Sequence, residues 1–272
     1  MFKLHLLLII ASLSVLSCEN EAVTPDRIWY RPTPQTTFDW DLRGPVPNGT
    51  TYQSEIVDID AFENEADFVA SLHTQGKKVF AYISVGSLED WRPDADDFPS
   101  EIIGNDYPGW SGEKFLNIHN IEALKPLMRA RFDMIQAKGF DGIEPDNIDL
   151  NSWTIAELGF EITDEDVINY AQWLAEEAHQ RGLLIGQKNA TDLADDLVSS
   201  FDWILLEDAF YYGFQNEASI YIQHNKAVFA TEYTDEMNST TFQTSVCPLA
   251  SSLQFTAILK NRDLDAFIET CN

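Results

Sequence analysis

Cysteine is scarce in this 272-residue chain: there are three, Cys18, Cys247 and Cys271. None forms a CxxC pair and the five histidines are scattered, so zinc-ligand spacing is missing. Basic residues are also few. Lys plus Arg number 17 against 45 Asp plus Glu, a formal net charge of −28. Such a surface repels phosphate backbones, which excludes a nucleic-acid partner, and it concentrates cationic ligands nearby. There is no glycine-rich dinucleotide loop and no GxSxG elbow. Rossmann cofactor chemistry and a Ser–His–Asp hydrolase are therefore disfavoured, and no cofactor is implied.

Long hydrophobic runs are missing too. The run from Leu6 to Leu16 is too short to span a bilayer comfortably, and one Lys precedes it. Small residues follow, the order of a secretory targeting segment. "VLSC" (Val15 to Cys18) resembles a bacterial lipobox, in which the cysteine is lipidated. The expected organisation is a signal peptide over 1–17, a tether over 18–36 and one domain over 37–272. Export is expected, either as an outer-membrane or cell-surface lipoprotein held through Cys18 or as a secreted protein. The membrane would then be met only through the lipid. Cys247 and Cys271 remain as an even pair in an oxidising compartment, where a bridge would contribute about 3 kcal/mol.

What the chain does contain is one repeating rhythm: a helical pattern, a glycine, a β-rich apolar run, then polar or acidic residues. "NEADFVASLHTQGKKVFAYISVGS" shows it, with Phe68, Val69 and Leu72 on one helix face and a strand from Val79 to Val85. "LMRARFDMIQAKGFDGIEPDN" and "INYAQWLAEEAHQRGLLIGQKN" repeat it. "EIVDIDAF", "FLNI", "FDWILLED", "KAVFATEY" and "LQFTAIL" are further strand candidates. Eight or so strands alternating with helices predict an α/β fold, a single closed (β/α)8 barrel whose active site lies at the C-terminal strand ends.

Those ends are polar. They supply Asp58 and Asp60; Ser84, Glu89 and Asp90; Glu144, Asp146 and Asn147; Lys188 and Asn189; Glu207; and Glu232 and Tyr233. A single strand-end acid is usually a cap or an ion-pair partner, but five such strands on one face point to a site. Trp91 and Tyr211 fall in the following loops, where aromatic faces can grip sugar rings or ammonium groups. Two carboxylates on a barrel face suggest glycoside hydrolysis, one as acid and one as nucleophile or base.

The stretches "KVFAYISVGSLEDWRPDADDFP", "FDGIEPDNID", "GQKN" and "LQFTAILKNRDLDAF" resemble, in this order, glycoside hydrolase family 114, the endo-α-1,4-polygalactosaminidases. The resemblance runs from about Phe38 to Cys271. It implies a barrel that cleaves α-1,4-linked galactosamine polymers with two acids. By this resemblance Asp146 is the expected nucleophile and Glu207 the expected acid/base, in a retaining mechanism with carboxyl groups about 5 Å apart. Glu144 is the rival nucleophile and would otherwise orient Lys188 or a substrate amine. Leu206 departs from an expected Asn and so removes a polar contact. The partner would be a cationic polysaccharide, drawn to Asp58, Asp60, Glu89, Asp90 and Glu232. A barrel glycosidase acting on another amino sugar or α-glycan, and a non-catalytic surface carbohydrate-binding lipoprotein, are the alternatives.

Overall fold

Period-two alternation decides what each strand buries. On Phe38–Asp41 (β1) Phe38 and Trp40 face one way, and Asp39 and Asp41 the other. Seven more strands follow: Ile56–Asp60 (β2), Lys78–Ser84 (β3), Gly142–Asp146 (β4), Leu184–Lys188 (β5), Trp203–Glu207 (β6), Ala227–Tyr233 (β7) and Thr256–Lys260 (β8). All pair with their neighbours in chain order, and every pairing is parallel. This computed structural model describes residues 30–271; the targeting segment, Cys18 and most of the tether lie outside the described residues.

The strands curl into the expected barrel. Its interior is filled by large rings: Phe80 stacks on Trp203 at 4.1 Å and Phe38 on Phe229 at 4.6 Å. Trp203 leaves no room for a side chain on the strand beside it, and little on the strand after that. A Cβ at Gly186 would lie 2.2 Å from its Nε1, and one at Gly142 would lie 3.0 Å from its ring. The outward residues, among them Val57, Val79, Ile143, Ile185, Leu206 and Val228, form a second apolar layer. It is covered by Ala66–Thr74 (α1), Ile121–Lys138 (α2) and Asp164–Gln180 (α3), which bury Phe68, Phe132 and Leu174 against it. Each such side chain contributes about 1.5–3 kcal/mol when fully buried.

Three expectations shift. "FLNI" is not a barrel strand: Glu113–Leu116 joins Ser87–Glu89 and Ile103–Asp106 in a small antiparallel sheet between β3 and α2. Its place in the barrel belongs to "FDWD", which carries no apolar run because β1 is acidic on its outer side. The domain also reaches back ahead of residue 37, since Ala227 N–H donates to the Pro32 carbonyl at 3.0 Å.

No β-ladder joins β8 to β1 among the described residues. Side chains hold that seam: Thr256 Oγ1 donates to the Thr36 carbonyl at 2.7 Å, and Lys260 Nζ to Asp39 Oδ1 at 3.1 Å. A groove of about 980 Å³ runs over its outer face. Beside it the Cys247–Cys271 disulfide ties the segment after β8 to helix Cys247–Leu253.

Candidate active site

The strand ends open into a cleft of about 700 Å³. Register brings its polar residues together. Ser84 of β3 lies level with Asp146 of β4, and Glu207 of β6 with Thr231 of β7. Directly after the last inward residue of β4, β5 and β6 the backbone enters the left-handed region, at Asn147 (φ 64°), Asn189 (φ 44°) and Asp208 (φ 51°). Asn and Asp tolerate that conformation best among residues with side chains. Each turn leaves Asp146, Lys188 or Glu207 as the last inward group on its strand.

Lys188 is the hub. Its Nζ donates to Asp146 Oδ1 at 2.5 Å and to Glu144 Oε1 at 3.2 Å, and pairs with Glu207 Oε2 at 3.0 Å. It also sits 4.7 Å from the centroid of the Trp40 ring. Its side chain is 1% exposed, yet the surrounding carboxylates outweigh burial and hold the ammonium well above its usual pKa. Asp146 Oδ1 and Glu207 Oε2 share this one nitrogen, so they are at most 5.5 Å apart.

Donors divide the two acids further. Tyr82 Oη donates to Asp146 Oδ2 at 3.1 Å. Tyr233 Oη donates to Glu207 Oε1 at 2.5 Å, and Asn189 clasps Glu207, accepting from its N–H at 3.0 Å. Burial pushes the Glu207 carboxyl up, but Lys188, Tyr233 and Asn189 outweigh it and leave it below the ordinary range. Glu144 goes the other way: full burial raises it well above that range despite Lys188. Asp58 behaves alike. Both lie beneath the cleft floor, not on it, so Asp58 is no surface contact for substrate.

Other expected residues sort by contact. Asp60 and Glu89 line the cleft but are bound to Arg92, whose guanidinium donates twice to each at 2.7–3.0 Å. Ser84 is buried beneath Asn147, whose Nδ2 donates to it at 3.1 Å. Asn147 and Trp91, the latter 49% exposed, line the cleft. Asp90 and Tyr211 do not line it. Glu232 also lies elsewhere: it is on the outer side of β7 and accepts from the N–H groups of Phe210 and Tyr211 at 2.9 and 3.0 Å. Its parity on the strand is opposite to that of Thr231 and Tyr233. Leu206 likewise faces the outer apolar layer, so an amide there would not reach the cleft.

Several cleft residues escaped the sequence reading. Trp40 sits on the strand that was overlooked. Tyr82 is inward on β3, a parity available from Ser84. Arg262 lies with its Cζ 3.8 Å from the Tyr233 ring centroid and pairs with Asp208 at 2.8 Å. Tyr107 and Glu113 come from the small antiparallel sheet and its turn, where "FLNI" was read as a barrel strand.

Two adjacent carboxylates at the C-terminal rim of a parallel barrel, in an aromatic-lined cleft, define a glycoside hydrolase. The chain belongs to glycoside-hydrolase family GH114, whose family profile matches residues 19–272. In structure it is similar to Aspergillus fumigatus Ega3 in complex with galactosamine, at 34% identity and TM-score 0.81, covering 89% of this chain and 97% of that one. The glycoside hydrolase domain of PelA from Pseudomonas aeruginosa shares the fold at 13% identity and TM-score 0.67, covering 87% and 98%. An α-galactosidase from Thermus thermophilus shares it at 12% identity and TM-score 0.53, covering 84% of this chain and 58% of that one. No curated protein matches the chain in sequence.

Proposed function

We propose that the chain cleaves α-1,4-linked galactosamine polymers internally, with retention, using Asp146 as nucleophile and Glu207 as acid/base. The observation that carries this is the shared ammonium: Lys188 holds Asp146 Oδ1 and Glu207 Oε2 within 5.5 Å. That is near the about 5–5.5 Å of retaining enzymes and short of the about 6.5–9.5 Å that an inverting site needs for its water. The galactosamine bound to Ega3, at 34% identity, supports the sugar.

In the first step an Asp146 oxygen attacks the anomeric carbon while Glu207, in the minor fraction that is protonated despite its lowered pKa, gives its proton to the leaving oxygen. The C–O bond breaks and a β-glycosyl ester forms. Glu207, now a carboxylate, takes a proton from water, whose oxygen displaces Asp146 and restores the α configuration. Tyr82 and Lys188 hold Asp146 in position, and Tyr233 and Asn189 fix the rotamer of Glu207.

Proton NMR of the first reducing ends released tests the stereochemistry: α-configured ends support the proposal and β-configured ends sink it. Azide separates the roles on an aryl α-galactosaminide. Glu207→Ala should yield the α-glycosyl azide and Asp146→Ala the β-glycosyl azide; the reverse products would exchange the assignments. Export and lipidation at Cys18 belong to the same proposal, resting on "VLSC", and mass spectrometry of the mature N-terminus decides them.

A further inference from the structure

The cleft is acidic, but most of its acids already have a cation. Arg92 occupies Asp60 and Glu89, Arg262 occupies Asp208, and Lys188 occupies Asp146 and Glu207. Glu63 and Asp263 are exposed at the rim. Glu113 differs from all of these. It lines the cleft, is 6% exposed, and pairs with no Lys or Arg among the described residues.

Its hydrogen bonding is that of an acceptor. Ser87 Oγ donates to Glu113 Oε2 at 2.9 Å. That uses the Ser87 hydroxyl proton, so at the 2.7 Å contact between the two hydroxyls Ser84 is the donor. Asn147 Nδ2 donates to both serine oxygens, at 3.1 and 3.2 Å. The whole chain of protons points toward the carboxylate. Oε2 is thereby satisfied, which leaves Oε1 to meet what enters the cleft. A carboxylate at low dielectric without a counter-ion is costly, and a cationic ligand relieves that cost.

Resting on the hydrolase reading above, we propose that Glu113 is the residue that reads the substrate's free amine: its carboxylate receives a sugar ammonium and rejects the N-acetylated counterpart. The neighbours fit this role. Burial pushes Glu113 up to about 7; Ser87 opposes this, Glu89 and Asp146 add to it, and Arg92 opposes it. Tyr82 is held neutral beside it, and Lys114 points away to Asp106. An arriving ammonium supplies the missing cation and draws Glu113 into its ionised form. An acetamide offers no charge and would leave the acid buried and unpaired.

Calorimetric titration of the full chain carrying Glu207→Gln, which binds without cutting, gives the test. Galactosamine and N-acetylgalactosamine are the probes, with Glu113 intact, as Glu113→Gln and as Glu113→Asp. With Glu113 intact the amine should bind about tenfold or more tighter than the acetamide, as expected of a charge-assisted bond in a buried site. Glu113→Gln should abolish that preference with little change for the acetamide, and Glu113→Asp should restore part of it. Amine affinity should weaken below pH 7 only where Glu113 is intact. Equal losses for both sugars, a preference that survives Glu113→Gln, or no binding of either sugar would overturn the proposal. Because no cleavage is read, failure of the hydrolase reading would show separately, as binding with the expected preference but no turnover by the unmodified chain.

Discussion

Lys188 shows how one side chain can set the protonation of its neighbours. It supplies both charge and position to Asp146 and Glu207. Replacing it with Met should let the two carboxylates repel and raise the Glu207 pKa, since the largest lowering influence on it is gone. As the proposed acid, Glu207 would then keep its protonated form to higher pH. The alkaline limb of kcat/KM should move up, and activity should fall by about 100-fold or more from lost positioning. A limb that stays in place would show that Glu207 is not the titrating acid. At this scale Asp146, Glu207, Lys188 and Tyr233 were legible, because each is polar at the end of an apolar run. Glu232 was misread because composition reveals a strand end but not which side of it a residue takes. Glu113 was invisible: its place in the cleft comes from a small sheet folded back over the strand ends.

Elements carry a different kind of information. The left-handed residues Asn147, Asn189 and Asp208 end three successive strands in the same way. Helix–glycine–strand grammar located β3, β4 and β5 well, since their helices and apolar runs are long. It failed at β1, where four residues alternate ring and acid, and it placed Glu113–Leu116 in the wrong sheet. Glycine inside a strand is usually a weakness, but at Gly186 it makes room for Trp203. Gly186→Ala should force that indole to shift and lower stability by about 1–3 kcal/mol. Thermal melting should record a drop of about 2–4 °C per kcal/mol. An unchanged melting temperature would mean that the barrel interior is looser than its stacked rings indicate.

The whole molecule is governed by its charge. At −28, exposed carboxylates repel one another, and salt screens that repulsion over about 8 Å at physiological strength. Raising NaCl from low to moderate concentration should therefore raise the melting temperature. Titration sets a window as well. Burial raises Glu113 and Glu232 to about 7, so their protonated forms stabilise the fold, and that contribution is lost as pH climbs from the unfolded value of about 4.3 through 7. Glu177 is lowered to about 2 by Arg129 and Arg181 against some burial, and Asp235 and Asp265 are lowered too. Their contribution is lost as pH falls through those depressed values. Stability should therefore peak at about pH 4–5, between the two windows, and a maximum at pH 8 in a melting series would contradict this.

The sequence by itself determined the alternation of helices and parallel strands, hence the barrel, because hydrophobic period and glycine placement are local properties. It also determined that acids gather at one end, and the motifs named the family. Tertiary structure decided how those acids are placed and paired. Burial sent Asp58 and Glu144 beneath the floor, strand parity turned Glu232 outward, and Arg92 claimed Asp60 and Glu89. The spacing of Asp146 from Glu207 was set the same way, by one ammonium arriving from a third strand. Electrostatics acts through space, and the neighbours that set it are distant in the chain.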